Sequence, residues 1–132
     1  MTGEEKCSNI DFIWVNIIEK NRKLISLGLF YRPPDSTETQ LNFLLKVMNH
    51  FIGHDTIIIG DFNFPDINWR THTSGVNGKI FLKHISTKSL IQCVKKPTRA
   101  LNTLDLVLVY DKSLVGNIED LTPIKVIIKD IN

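Results

Sequence analysis

Residues 56–69 read TIIIGDFNFPDINW, and the three isoleucines at 57–59 constrain the chain more than any other feature. A strand that is apolar on both faces has no side to give to water. It belongs in the middle of a sheet whose two faces are both covered. Thr56–Ile59 is therefore expected to be a central strand. It runs straight into Gly60, Asp61, Phe62 and Asn63, and Pro65 then ends any pairing.

The flanking segments supply candidate layers. DFIWVNIIEKNRKLISLGLFYRPP (11–34) reads as two strands around a polar turn at Asn21, Arg22 and Lys23, stopped by Pro33-Pro34. A helix follows, with Asp35 at its N-cap and Glu38 completing a capping box. Leu41, Leu44, Leu45, Met48, Phe51 and Ile52 recur at helical spacing, and Gly53 closes the helix. Residues 62–78 read as loop. Residues 79–88 read as a helix with Ile80, Phe81, His84 and Ile85 facing inward. Strands are expected at 89–94 and 103–110, with a turn or loop at 95–102 between them. A last strand is expected in the tail PIKVIIKDIN. This alternation means an α/β or α+β layered fold.

The length of 132 residues fits one domain, and 42% hydrophobic with 23% charged residues is an ordinary globular balance. A net charge of +2 permits nucleic-acid contact without requiring it. Cys7 and Cys93 are distant and lack zinc-site spacing, so free thiols in a reducing compartment are expected. The first residues, MTGEEKCSNIDFIW, lack the apolar core of a secretory signal. No apolar run is long enough to span a bilayer. An intracellular protein of nucleus or cytoplasm, with no membrane partner, is the expectation.

Two polar intrusions into apolar strands carry the chemistry. In extended chain Asp61 and Asn63 project together and Phe62 points the other way, into the core. A carboxylate at the rigid end of a buried strand can take a proton from water or hold a divalent cation. A neighbouring amide can bind a phosphate oxygen or complete a metal shell. Asp and Asn are also ordinary turn formers after a strand. A calcium loop built on Asp61, Asn63 and Asp66 fails, because Pro65 stands fifth and Asp66 takes the place of the sixth-position glycine. Asp105 sits inside TLDLVLV, where a charge is costly unless it is paired. Either it lies on a solvent face or it orients another polar group.

LGLFYRPPDS, IIIGDFNFPDINW and KKPTRALNTLDLVLVYDKSLVGNIE, in that order and at these spacings, resemble the endonuclease domain of LINE-type (non-LTR) retrotransposons of the jockey-like and chicken-repeat-like kind. That domain is part of the endonuclease/exonuclease/phosphatase superfamily, with DNase I and the abasic-site endonucleases. The resemblance spans roughly residues 12–120. It implies a DNase I-like four-layer sandwich, two β-sheets face to face with helices outside. It implies phosphodiester hydrolysis with Mg2+ or Mn2+, nicking chromosomal DNA so that the freed 3′-hydroxyl primes reverse transcription. By resemblance, Tyr31 contacts the scissile phosphate and Asp61 activates or positions water. Asn63 binds phosphate or metal-shell oxygens, sharing the metal with Asp61. Asp105 orients a catalytic histidine. Arg32, Asn68 and Arg99 are expected to touch substrate, with DNA and a reverse transcriptase domain as partners.

The sequence departs from the family at both ends. The family carries an asparagine and a metal-binding glutamate on strands before the equivalent of Asp11, and Glu4 and Glu5 do not match that motif. A Ser-Asp-His motif follows the family's LDLVL strand, but here the region reads LTPIKVIIKDIN. His50, His54, His72 and His84 all lie elsewhere. Residues 1–11 are thus expected to be a polar leader and 12–132 a partial domain with one sheet largely complete. Weak or absent activity of this chain alone is the expectation, with a non-catalytic remnant or a DNA- or protein-binding fragment as the alternative. A sheet face left bare is expected to favour association or aggregation.

Overall fold

The computed structural model describes residues 10–18, 24–51, 55–95, 105–119 and 125–128. Strands β1 (Asp11–Ile18), β2 (Leu24–Tyr31), β3 (Thr56–Asp61), β4 (Ile91–Gln92) and β5 (Asp105–Val109) form one mixed sheet in the order β1-β2-β3-β5-β4. Strand β3 is central, as its isoleucines require. It runs parallel to β2 and antiparallel to β5. Parallel neighbours need a crossover, and helix α1 (Glu38–Phe51) provides it. Helix α2 (Val76–Thr87) precedes β4. After β5 a 3-10 turn (Lys112–Leu114) leads into a separate two-stranded sheet of β6 (Val115–Glu119) and β7 (Lys125–Ile128).

Alternation sorts the strand residues onto two faces. One face carries Phe30, Ile58, Leu106 and Leu108 and packs with Leu41, Leu44, Leu45 and Met48 of α1 and Phe81, Leu82 and Ile85 of α2. Each large side chain fully buried there stabilises the fold by about 1.5–3 kcal/mol. Aromatic rings thread this layer. Phe30 and Phe62 stack at 6.0 Å, and Phe64 and Phe81 at 4.6 Å. Gly28 accepts the indole of Trp14, since a Cβ at Gly28 would lie 2.6 Å from the ring. The opposite face carries Ile25, Ile57, Val107 and Val109, packed with Cys93, Val94, Leu114 and Val115. Cys93 is a free thiol within this second layer, and burial pushes its pKa up.

Several expected boundaries move for local reasons. Helix α1 is capped by Thr37, not Asp35. Thr37 and Gln40 form the reciprocal box, with the Gln40 N–H donating to Thr37 Oγ1 at 3.2 Å and the Thr37 N–H to Gln40 Oε1 at 2.7 Å. Asp35 and Ser36 are consumed by a turn in which the Ser36 N–H donates to the Pro33 carbonyl. Helix α2 starts at Val76, three residues earlier than its apolar spacing predicts, and Ile80 and His84 are only half-buried. The strand expected at 89–94 shrinks to Ile91–Gln92. Ile10 is in the core and Asp11 opens β1, so the last two residues of the expected leader belong to the fold. Gly53, the turn at 21–23 and most of the 95–102 loop lie outside the described residues. No helix among the described residues is long and apolar enough to cross a membrane.

Candidate active site

The sheet register brings three of the predicted residues together. Tyr31 pairs with Asp61 across β2 and β3, and Asp61 pairs with Asp105 across β3 and β5. Paired residues on neighbouring strands point to the same face, with Cβ atoms about 5 Å apart. Tyr31, Asp61 and Asp105 therefore form a row across three adjacent strands at one end of the sheet. They lie on the face opposite the helices, in line with Ile57 and Val107. Asp11 on β1 extends the row beside Tyr31. Its place was not legible in the sequence, because only the pairing puts it there.

The row combines an exposed end with a firm base. Tyr31 is 42% exposed, Asp61 and Asp105 are half-buried, and all three sit at strand ends. The glycine before Asp61 permits a close approach. A Cβ at Gly60 would come within 3.0 Å of the Phe30 Cβ and run into its carbonyl oxygen. Gly60 thus lets β2 and β3 pair tightly just below the Tyr31–Asp61 step.

Asn63 does not continue the strand. Its φ is 51°, in the left-handed region that Asn adopts more readily than most residues. Phe62 is fully buried as expected, but the i, i+2 geometry that would put Asn63 beside Asp61 ends at Asp61. Asn63 is 8% exposed, and its Nδ2 donates to the Arg32 carbonyl at 2.6 Å. Arg32 itself is 3% exposed and lies over the Phe64 ring. Burial lowers its pKa and Asp66 opposes the shift. Asn68 is exposed, and its Oδ1 accepts from the backbone N–H groups of Arg70 and Thr71, closing a turn. Arg99 lies outside the described residues.

Among the described histidines, His72 is in the loop after the corner and His84 is on α2, while His50 ends α1. None of them is on the strands that carry the row. Among the described residues no group of three or more His, Cys, Asp or Glu could cage a metal. Magnesium asks less than a cage. It binds through one or two carboxylates plus water and substrate phosphate. Asp61 and Asp105, opposite each other on β3 and β5, fit that minimum as a donor pair.

Residues 25–123 match the family described as Endonuclease-reverse transcriptase. The chain belongs to this endonuclease–reverse transcriptase family. The match covers β2, the central strand and β5, and so every described member of the Tyr31–Asp61–Asp105 row. Among solved structures, the chain is similar to the endonuclease domain of TRAS1, a telomere-specific non-LTR retrotransposon. The TM-score is 0.63 at 16% identity, over 83% of this chain and 55% of that one. At that identity the likeness is one of fold, DNase I-like α/β. The chain spans about half the length of that domain. No curated protein matches the chain.

Proposed function

We propose that this chain carries part of a DNA-nicking site, in which Tyr31, Asp61 and Asp105 act on a phosphodiester. The observation that supports it best is their register: three polar side chains on neighbouring strands, on one face, in a family of retrotransposon endonucleases. Hydrolysis of a phosphodiester needs an aligned water, neutralised phosphate charge and a stabilised leaving oxygen. Asp61 is suited to orient water and accept its proton. Tyr31, exposed at the edge, donates a hydrogen bond to a non-bridging phosphate oxygen. Asp105 is suited to orient a histidine, as in the resembling family, although no described histidine lies on the strands of the row. Asp61 and Asp105 are the residues that would hold Mg2+ or Mn2+, which when bound would neutralise charge on the phosphate.

These 132 residues supply one flank of such a site, and catalytic groups that act as a unit lose most of their effect when one is removed. The expected result with supercoiled plasmid and Mg2+ is slow nicking at most, lost in Asp61→Ala. Fast nicking that survives Asp61→Ala would remove Asp61 from the chemistry. A second reading, a fragment that binds DNA or protein without cutting, is favoured by the exposed apolar residues Ile13, Val15 and Leu29. Duplex binding without nicking, unchanged by Asp61→Ala, would support that reading instead.

A further inference from the structure

Arg32 follows the last residue of β2, and Asn63 lies two residues past the end of β3. The two segments clasp each other. The Arg32 N–H donates to the Asp61 carbonyl at 2.9 Å. Its Nη1 donates to the Phe62 carbonyl at 3.0 Å and to the Asn63 carbonyl at 2.9 Å. In return, Asn63 Nδ2 donates to the Arg32 carbonyl. The guanidinium carbon lies 4.0 Å from the centre of the Phe64 ring.

We propose that Arg32 is a positioning residue: its guanidinium locks the 62–64 corner so that Asp61 stays in line with Tyr31 and Asp105, and it does not itself touch substrate. A cation that grips phosphate must present its N–H groups to solvent, and Arg32 does not. Its side chain is buried and its Nε is out of solvent. A buried cation is tolerated only where acceptors surround it. Here two consecutive carbonyls converge on one nitrogen. The left-handed turn at Asn63 changes the course of the chain between them. The planar fork can stack on Phe64 while it bonds both carbonyls, which a lysine ammonium cannot do. The clasp stands on these contacts alone, and only its catalytic meaning rests on the nuclease reading.

The test is amide hydrogen exchange and 15N–1H spectra of the full chain, wild type against Arg32→Ala and Arg32→Lys. In Arg32→Ala the amides of residues 62–64 and the Asn63 side-chain amide are expected to shift. Protection of the residue-32 amide, which donates to the Asp61 carbonyl, should fall about tenfold or more, what a charge-assisted hydrogen bond is worth. Ile58 and Leu106 amides should keep theirs. Millimolar guanidinium should restore the corner in Arg32→Ala, and lysine should not. Unchanged corner amides, or equal loss across the whole sheet, would overturn the proposal. If Arg32→Ala does not fold, Asn63→Gly replaces it. Glycine keeps the left-handed turn and both carbonyls but loses the return bond, so the same amides should loosen, and their staying intact would refute the clasp. Duplex binding at several salt concentrations separates the remaining roles. A positioning residue leaves the salt slope of Arg32→Lys and Arg32→Ala at the wild-type value. A slope lower by about one phosphate contact in Arg32→Ala would make Arg32 a substrate contact and overturn the proposal. Wild-type chain that binds no duplex would count against the nuclease reading, while the exchange data would still decide the clasp.

Discussion

The two faces of the five-stranded sheet are treated differently. The helix side is covered over β3 and β5, with Ile58, Phe62, Leu106 and Leu108 fully or almost fully buried. The other side is covered toward the end away from the site row, where Ile25, Ile57, Val107 and Val109 meet Leu114 and Val115. Nearer the row its β1–β2 part is open, with Ile13 at 63%, Val15 at 43% and Leu29 at 39% exposure. On this face β1, β2, β3 and β5 all carry apolar residues. The difference lies in what covers them, and it leaves Tyr31 and Asp11 beside uncovered apolar surface.

The contrast breaks most readily on the helix side. Phe62→Ala removes a fully buried ring packed between Phe30 and Phe81 and should cost about 3–5 kcal/mol in urea denaturation. A cost under about 1 kcal/mol would mean that this face is not the main core. Next comes the site row, which should be worth much in chemistry and little in stability. Saturating Mg2+ should raise the melting temperature of wild type, about 1.4 kcal/mol at ten times Kd, and leave Asp61→Asn unmoved. Equal shifts in both would place the ion elsewhere.

At the N-terminus of α1, Thr37→Ala should cost about 1 kcal/mol and Asp35→Ala nearly nothing, measured in the same denaturant series. On the open face the expectation reverses. Ile13→Thr with Val15→Thr should change stability by under about 0.5 kcal/mol, because neither side chain is buried. Light scattering should fall in the double variant, and a large loss of stability would show that the face is covered in solution.

The smallest effect concerns pH. Burial and Lys88 lower the His84 pKa, so the folded state resists the proton that the unfolded state accepts. Stability should be flat above about pH 6.5 and should decline as the pH falls below it. His84→Gln should flatten that decline.

Much of this was legible in the chain. The Ile57–Ile59 run fixed a central strand because an all-apolar segment has one place to go. The amphipathic spacing from Leu41 to Met48 marked α1 for the same kind of reason. What failed to show was anything set by pairing at a distance. The alignment of Asp11, Tyr31, Asp61 and Asp105 depends on register between strands, which no local pattern carries. Asn63 was read as extended because i, i+2 reasoning holds only while the chain stays straight. Arg32 was expected to touch substrate by resemblance, and its acceptors arrive from a loop far along the sequence, where no local pattern reveals them. Thr37 was passed over as a cap because Asp35 looked sufficient until Pro33 claimed the intervening turn.

The clasp joins Arg32 to residues 30 and 31 positions further on, and the row reaches still further, to Asp105. Contacts this distant must close large loops before they return any energy, so they form late in folding. Helix α1 can begin to coil by itself, whereas the polar row exists only once β2, β3 and β5 have met. Short peptides bearing GDFN or YRPP alone should therefore hold none of the site's geometry. In partially denatured chain the alignment of Asp61 with Asp105 should vanish while helical signal remains.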